Sequence, residues 1–376
     1  MAKYILHIGR HKSGTSSLQN FLYSNRAVLV THGYYYPKTY SPHTAHHCIA
    51  RNFSKKILRS SNDAELNSLK NCLDSLFKEI SDKKETILLS SEGFQNCDPN
   101  LVARKFDPEK TKVIVYIREQ VDYFISSYLQ EVHATKFSAA LEDSIQKWIP
   151  NYELFLTKWV AVFGSENVIV RAYDRSQLLN NNIIDDFLYC IGIDNINDFV
   201  LNTSDMNPSI GGALLEFKRL INISDINEKD QRRLFYSLFS HLSAENLNYR
   251  IKPLLSIATI DAIREKTFES NHKVFARYFS GNDVFSRPKT TQPNESRVVS
   301  IDDLLRIFID IQAKSPQACD RIVDLFIPSK NISDANTHIA LIDKQISDKL
   351  LYALQNIIDS HQNSETKFNW NQFIIP

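Results

Sequence analysis

Paired cysteines, glycine and long apolar runs are scarce in this sequence of 376 residues. Its five cysteines include no Cys-x-x-Cys pair, which argues against a zinc or disulfide scaffold and favours reduced thiols in a cytoplasm. No apolar run approaches the roughly 18 residues of a membrane span, and no signal-peptide pattern precedes the strand predicted from Tyr4. We therefore expect a cytoplasmic protein without an integral membrane segment. The balance of 44 Lys and Arg against 43 Asp and Glu excludes a protein that coats nucleic acid.

Acidic residues are absent from the first sixty positions. The first acid is Asp63, whereas the residues up to Ser60 include nine Lys and Arg and six His. A neutral chain that concentrates positive charge in this way is expected to bind an anion there. The alternative is a chance fluctuation of charge on a solvated face.

Short runs rich in Ile, Val and Leu alternate with amphipathic stretches, a pattern typical of βα units and a parallel sheet. The expected fold class is therefore α/β, with a mainly parallel sheet flanked by helices and a helical C-terminal extension. The predicted strands are Tyr4–Ile8, Thr86–Ser90, Lys112–Ile117 and Asn167–Arg171. The predicted helices between them are Thr15–Val30, Ala64–Ile80, Asp122–Ala134, Leu141–Phe163 and Gln177–Ile191.

Beyond residue 200 the strand pattern fades and helical periodicity takes over. We expect an α/β domain over residues 1–290 and a helical extension over residues 291–376. The extension carries an apolar stripe at spacings of three and four from Ile339 to Ile357. This stripe either packs on its own domain or joins copies of the chain in a homo-oligomer.

Two of only nine glycines, Gly9 and Gly14, fall between the first predicted strand and the first predicted helix. Such a loop lets backbone N–H groups converge on an anion at the positive end of the helix dipole, which makes the expected sheet P-loop-like. In the common nucleoside-triphosphate loop a Lys follows the second glycine directly. Here Thr15 holds that position, and Lys12 lies ahead of the glycine.

The shifted lysine favours a shorter anion than a triphosphate. Hydroxyl groups around it supply neutral donors, from Ser13, Thr15, Ser16 and Ser17. The strand Thr86–Ser90 is followed by Ser91 and Glu92 rather than by the Asp that usually holds a metal ion. These residues predict an anionic donor bound without a metal.

The run Lys-Ser-Gly-Thr-Ser-Ser after a first strand resembles the 5′-phosphosulfate loop of sulfotransferases that use 3′-phosphoadenosine 5′-phosphosulfate (PAPS). The resemblance covers roughly residues 3–290 and is nearest to bacterial members, which also share the later Asn207-Pro-Ser209. It implies that the 5′ end of the donor is bound by Arg10, His11, Lys12, Ser13, Gly14, Thr15, Ser16 and Ser17.

A second segment is similar to the same family. Sulfotransferases bind the 3′-phosphate with an Arg at the end of a later strand and a Ser eight residues on. Here the strand Lys112–Ile117 is followed by Arg118, and Ser126 follows eight residues later. An Arg suits this task through its paired donors and permanent charge. The alternative pairs Arg118 with a neighbouring carboxylate, Glu119 or Glu92.

Tyr173 follows the fourth predicted strand, and the resemblance implies contact with the adenine ring; a packed surface tyrosine is the alternative. The sequence also departs from the family. Many cytosolic sulfotransferases complete the 3′-phosphate site with an Arg-Lys-Gly segment near the C-terminus, which is absent here. Arg277 or Arg287 is a candidate replacement.

Sulfuryl transfer requires charge stabilisation at the leaving oxygen and removal of the acceptor proton. Lys12 is the candidate for the first task. For the base we favour Glu92, at the carboxyl edge of the sheet, where ligands of open α/β folds bind. The cluster His43, His46 and His47 is the alternative, with His47 as its catalytic candidate. A metal site at this cluster is disfavoured because no fourth ligand has suitable spacing.

These residues together predict a bacterial-type, PAPS-dependent sulfotransferase with adenosine 3′,5′-bisphosphate as product. Its expected acceptor is a hydroxyl of a carbohydrate or glycolipid, by analogy alone. One alternative is a divergent P-loop kinase or other nucleotide-binding enzyme, which would require Mg²⁺ and prefer ATP. Another is a non-catalytic scaffold whose tail helices hold a partner.

Overall fold

The structure is a computed structural model that describes residues 3–10, 13–38, 44–201, 209–223, 234–285, 301–318 and 321–322. The chain divides into two compact units. The first comprises Met1–Ser127, Ile145–Met206 and Ser256–Thr291, and the second comprises Tyr128–Ser144, Asn207–Leu255 and Gln292–Pro376. The predicted boundary at residue 290 falls outside the described residues and stays a prediction.

A five-stranded parallel sheet of order β2-β3-β1-β4-β5 forms the centre of the first unit. The strands are β1 (Tyr4–His7), β2 (Tyr34–Tyr35), β3 (Thr86–Ser90), β4 (Thr111–Ile117) and β5 (Val168–Ala172). The predicted α/β class is confirmed, and the four predicted strands agree with the observed ones to within one residue at either end. The two-residue edge strand β2 is an addition.

Helices cover both faces of the sheet. In the first unit they are α1 (Thr15–Ser24), α2 (Arg26–Thr31), α3 (His47–Arg51), α4 (Lys55–Ser60), α5 (Asp63–Glu79), α6 (Pro99–Ala103), α7 (Gln120–Ala134, which continues into the second unit), α8 (Ile145–Trp148), α9 (Tyr152–Phe163), α10 (Ile183–Cys190) and, later in the chain, α13 (Ile257–Tyr278). The helices of the second unit are α11 (Gly212–Ile223), α12 (Tyr236–Glu245) and α14 (Ile301–Lys314). Short 3-10 helices span Glu92–Asn96, Pro108–Lys110, Glu142–Ser144, Ser165–Asn167, Leu179–Asn181 and Leu247–Arg250.

Alternate side chains of each strand enter two separate hydrophobic cores, as the period of a strand requires. On one face, Ile5 of β1 and Ile114 of β4 pack in a core with Leu18 of α1 and Phe187 of α10. On the other face, residues such as Leu6 pack with side chains of α3, α5 and α9. Because all strands run parallel, their carboxyl ends meet at one edge, from which the loops of interest leave.

Two of the long predicted helices are interrupted. The predicted helix Thr15–Val30 breaks at Asn25, a buried residue whose side chain donates to Phe21 O and accepts from Val200 N–H. The predicted helix Leu141–Phe163 breaks before α9, where Pro150 disfavours helical backbone and Asn151 caps α9 by accepting from Leu154 N–H at 2.8 Å.

The second unit is helical in its described residues. Lys218 of α11 is buried and donates to Thr135 O at 3.3 Å and to the side chain of Asn222. Burial lowers the pKa of Lys218 to about 7. Helix α14 agrees with the predicted helical extension, whose apolar stripe from Ile339 lies outside the described residues. Within the described part of the chain, no helix combines the length and apolarity that crossing a bilayer requires.

Candidate active site

The glycine loop joins β1 to α1 and depends on positive backbone angles that favour glycine. Gly9 has a φ of 33° and Gly14 a φ of 72°. A Cβ atom at Gly9 would lie 2.7 Å from Thr15 Cγ2, and one at Gly14 would lie 2.7 Å from Tyr173 Cε2. Both positions therefore exclude a side chain by conformation and by space.

Among the residues that the structure describes, none caps the N-terminus of α1 with its side chain, and the first turn contains no acidic residue. The first N–H groups of α1 lie at the positive end of the helix dipole. Ser16 and Ser17 are exposed there, whereas Thr15 is buried. The buried Ser13 hydroxyl donates to Arg10 O at 2.6 Å and so holds the loop closed on itself.

The remaining predicted loop residues divide into two groups. Lys12 and His11 lie outside the described residues, so their roles stay predictions. The Arg10 guanidinium faces three aromatic rings, with its Cζ 4.8 Å from the ring centroid of Phe155, 5.2 Å from that of Tyr123 and 5.4 Å from that of Tyr152. Within the described residues its buried Nε has no hydrogen-bond partner.

Arg118 follows the end of β4, and polar contacts fix both its backbone and its side chain. The Tyr152 hydroxyl accepts from Arg118 N–H at 3.2 Å and donates to Arg118 O at 2.5 Å. Arg118 Nη1 donates to Ser126 Oγ at 3.1 Å, and Nη2 lies 3.4 Å from Asp122 Oδ2. The spacing that predicted a shared phosphate thus brings Arg118 and Ser126 into contact, and Asp122 is an additional partner.

The N-terminus of α7 lies two residues before Asp122, where the predicted helix begins. The helix begins at Gln120, and Glu119 Oε2 accepts from Asp122 N–H at 2.9 Å. Glu119 is buried, and burial raises the pKa of its carboxyl group. Asp122 is therefore a first-turn residue whose carboxylate is oriented toward Arg118.

Tyr173 contacts both predicted anion-binding segments. Its backbone N–H donates to Ile117 O at 2.6 Å, which fixes it at the end of β5 beside Arg118. The Arg118 Cζ lies 5.6 Å from the centroid of the Tyr173 ring, and Gly14 packs so close to the same ring that an added Cβ atom would lie 2.7 Å from Cε2. The glycine loop and Arg118 therefore both neighbour one tyrosine.

Glu92 begins the 3-10 helix that follows β3 and is held through both carboxylate oxygens. Its Oε2 accepts from Gln19 Nε2 at 2.9 Å, and its Oε1 lies 3.7 Å from His47 Nε2. The other ring nitrogen of His47, Nδ1, forms a 2.8 Å hydrogen bond with Ser91 Oγ. The Glu92 side chain is 19% exposed and that of His47 46%, so this pair is open to solvent.

The three histidines of the predicted cluster have different positions. His46 is buried, its Nδ1 accepts from Ser90 N–H at 3.1 Å, and its Nε2 donates to Pro37 O at 3.2 Å. Burial lowers the pKa of His46 to about 4, so the ring is neutral with both nitrogens engaged. His46 is thus unsuited to act as a base, and His43 lies outside the described residues. No group of three metal-binding side chains occurs among the residues described.

His7, Gln19 and Tyr152 were not predicted from the sequence. His7 is wholly buried at the end of β1, with Nδ1 2.8 Å from Ser90 Oγ. Burial lowers the pKa of His7 to about 4, against the opposing charge of Glu92. A polar residue inside an apolar strand is the signal that could have identified His7. Gln19 could have been suspected because it follows Thr15 by one helical turn.

Comparisons with known proteins give partial matches. No known family's profile matches the chain. A protein of Archaeoglobus fulgidus described only as uncharacterized is 29% identical over 208 residues, which are 53% of this chain and 55% of that protein. The chain thus matches about half the length of this relative. A crystal structure of a sulfotransferase from Alicyclobacillus acidocaldarius aligns with a TM-score of 0.35 and 18% identity over 55% of this chain and 87% of that one.

Proposed function

We propose that this protein is a sulfotransferase that transfers a sulfuryl group from PAPS to a hydroxyl group. The product of the donor is adenosine 3′,5′-bisphosphate, and the acceptor class is a carbohydrate or glycolipid. The observation that carries the proposal is the contact of the Tyr173 ring with both Gly14 and Arg118. One adenosine compound with a charged group at each end fits two anion-binding segments that meet at one aromatic ring.

In this proposal the two ends of the donor are bound by different chemistry. N–H groups at the start of α1, with Ser16 and Ser17, bind the 5′-phosphosulfate. Arg118 and Ser126 bind the 3′-phosphate, for which the guanidinium provides paired donors. Asp122 orients Arg118 from the other side. Tyr173 provides the ring that contacts the adenosine.

The transfer step follows from the positions of Glu92 and the predicted role of Lys12. The acceptor oxygen forms a bond to sulfur while the bond from sulfur to the bridging phosphate oxygen breaks, and that oxygen keeps the electron pair. Lys12 stabilises the negative charge that develops on this oxygen. Glu92 takes the proton of the acceptor hydroxyl, and the exposed His47 beside it passes the proton on to solvent.

Transfer of radioactive sulfate tests the function. Wild-type protein, 35S-labelled PAPS and a panel of p-nitrophenyl glycosides should give labelled glycoside. Glu92→Gln should lower the rate by about 10²-fold or more, since general-base catalysis commonly contributes that much. Binding of PAPS in the absence of magnesium, together with no thermal shift by ATP and magnesium, would separate this function from the kinase alternative. Stronger binding of ATP with magnesium than of PAPS would overturn the proposal.

A further inference from the structure

Gln19 connects the anion-binding loop with the Glu92 carboxylate. It lies on α1, one helical turn after Thr15, and only 3% of its surface is exposed. Its Nε2 donates to Glu92 Oε2 at 2.9 Å across 73 residues of sequence. The contact thus joins the helix that begins at the loop with the segment that follows β3.

We propose that Gln19 is a positioning residue that holds Glu92 in the orientation in which it accepts the proton of the acceptor hydroxyl. The inference rests on the proposed function. In addition, one rigid helix aligns the donor-binding site with the base. Helix α1 carries the anion-binding N–H groups at its start and Gln19 one turn later.

The need for such a residue follows from the side chain of glutamate. Glu92 begins a 3-10 helix at a sheet edge, and three side-chain torsions separate its carboxylate from that backbone. Gln19 fixes Oε2 directly, whereas His47 lies at a longer 3.7 Å from Oε1. A displacement of about 1 Å of a catalytic group can cost on the order of 10²-fold in rate. Of these two contacts, the one with Gln19 is the shorter and is a hydrogen bond.

The chemistry of an amide suits this position. A neutral donor stabilises the carboxylate without contributing a full positive charge, so Glu92 keeps its capacity to accept a proton. Loss of the amide should raise the pKa of Glu92, because a hydrogen bond to the charged form is removed. A carboxylate in place of the amide should raise it further, since two like charges at this distance resist joint ionisation. Among the described residues, the titratable groups that act on Glu92 include His47, the buried His7 and Tyr36.

The test combines a titration with a rate profile. Full-length protein labelled with 13C at the glutamate carboxyl carbon is titrated by NMR, and the Glu92 signal is assigned from Glu92→Gln. Gln19→Met should raise the pKa of Glu92, and Gln19→Glu should raise it further. The matched control is Gln120→Met, which removes another buried amide that is hydrogen-bonded to Asn271. This control should leave the titration of Glu92 the same as in wild type.

The rate profile uses 35S-labelled PAPS and p-nitrophenyl glycosides. Gln19→Glu should move the acidic limb of the kcat profile to higher pH in parallel with the titration. Gln19→Met should lower kcat by about 10- to 100-fold. The affinity for adenosine 3′,5′-bisphosphate should change less than about twofold in both variants, because neither substitution removes a residue that binds the nucleotide.

The possible results separate the inference from the function on which it rests. If the pKa of Glu92 is the same in wild type, Gln19→Met and Gln19→Glu, the inference is wrong even where sulfuryl transfer is intact. If the titration shifts while kcat and its pH profile do not, Gln19 is only structural and the inference is also wrong. If wild-type protein binds PAPS but transfers no sulfuryl to any glycoside or to water, the proposed function fails, and the role of Gln19 in proton transfer fails with it.

Discussion

The guanidinium of Arg118 lies 5.6 Å from the centre of the Tyr173 ring, at the ends of the adjacent parallel strands β4 and β5. A cation at this distance from an aromatic ring is within the range of an attractive cation–π interaction. A second neighbour of the same ring is Gly14 of the glycine loop. Tyr173 therefore contacts both halves of the proposed donor site.

Removal of the Arg118 side chain should weaken binding of the 3′-phosphate specifically. We expect Arg118→Ala to lower the affinity for adenosine 3′,5′-bisphosphate by about 10- to 100-fold, since hydrogen bonds to charged groups contribute about 1.5–3 kcal/mol. The affinity for AMP should remain near that of wild type. Isothermal titration calorimetry measures both ligands, with the exposed Arg104→Ala as control. Equal losses for the two nucleotides would remove the assignment.

Two glycine-to-alanine substitutions can separate the energetic cost of the tight contact between Gly14 and Tyr173 from the cost of backbone strain. Gly14→Ala and Gly33→Ala both place alanine at a positive φ, but only the first meets a neighbour, at 2.7 Å, whereas the site of Gly33 is open. We expect Gly33→Ala to lower the free energy of unfolding by about 1–2 kcal/mol. Gly14→Ala should cost about 1–3 kcal/mol more through overpacking. Urea unfolding measures both, and equal values would contradict the contact.

The role of Lys12 predicts a loss of rate rather than of donor binding. Lys12→Ala should lower kcat by about 10²- to 10³-fold, the usual effect of removing one group that stabilises developing charge. Lys12→Arg, which keeps the charge, should retain more activity than Lys12→Ala. Transfer of 35S-labelled sulfate gives kcat, and calorimetry gives the affinity for adenosine 3′,5′-bisphosphate. An alanine variant with full kcat would exclude Lys12 from the chemical step.

Two buried neutral histidines predict a loss of stability in mild acid. The pKa values of His7 and His46 in the folded protein are about 4, below the ordinary value near 6.5, so the unfolded chain binds protons first as the pH falls. The stabilisation is complete above about pH 6.5 and decreases toward about pH 4, by up to about 3 kcal/mol for each histidine.

Replacement of one histidine tests this pH dependence. His46→Gln keeps one acceptor and one donor but removes the titration, so the decline in the free energy of unfolding should be roughly halved. Urea unfolding at several pH values measures the decline, and His272→Gln, at an exposed position, should leave it unchanged. A decline equal to that of wild type in His46→Gln would contradict the burial of a neutral ring.

The sequence predicts those parts of the fold that depend on neighbouring residues. The apolar runs of β1, β3, β4 and β5 identify the sheet, and Gly192, at a φ of 80°, follows the end of α10, where a glycine is favoured. The break at Asn25 depends on hydrogen bonds to Val200, 175 residues away, which no local pattern contains. The strand β2 is too short, at two residues, for a periodic signal.

The same distinction holds for the candidate site. Arg118 and Ser126 are only eight residues apart, and the resemblance to sulfotransferases implied the pair, which the first two turns of α7 bring into contact. Gln19 and Glu92 are 73 residues apart and meet only because the sheet aligns α1 with the end of β3. The hydrogen bonds of the buried His46 ring likewise depend on backbone groups of Pro37 and Ser90. The sequence alone therefore could not distinguish His46 from His43 and His47 as a candidate base.

A structure of the complex with adenosine 3′,5′-bisphosphate is the decisive test of the proposed donor site. We expect a single nucleotide with its 5′-phosphate at the N–H groups that begin α1, its 3′-phosphate on Arg118 and Ser126, and its adenosine against Tyr173. A nucleotide bound elsewhere, or bound through only one of these two segments with its other phosphate in solvent, would show that the two segments do not form one donor site.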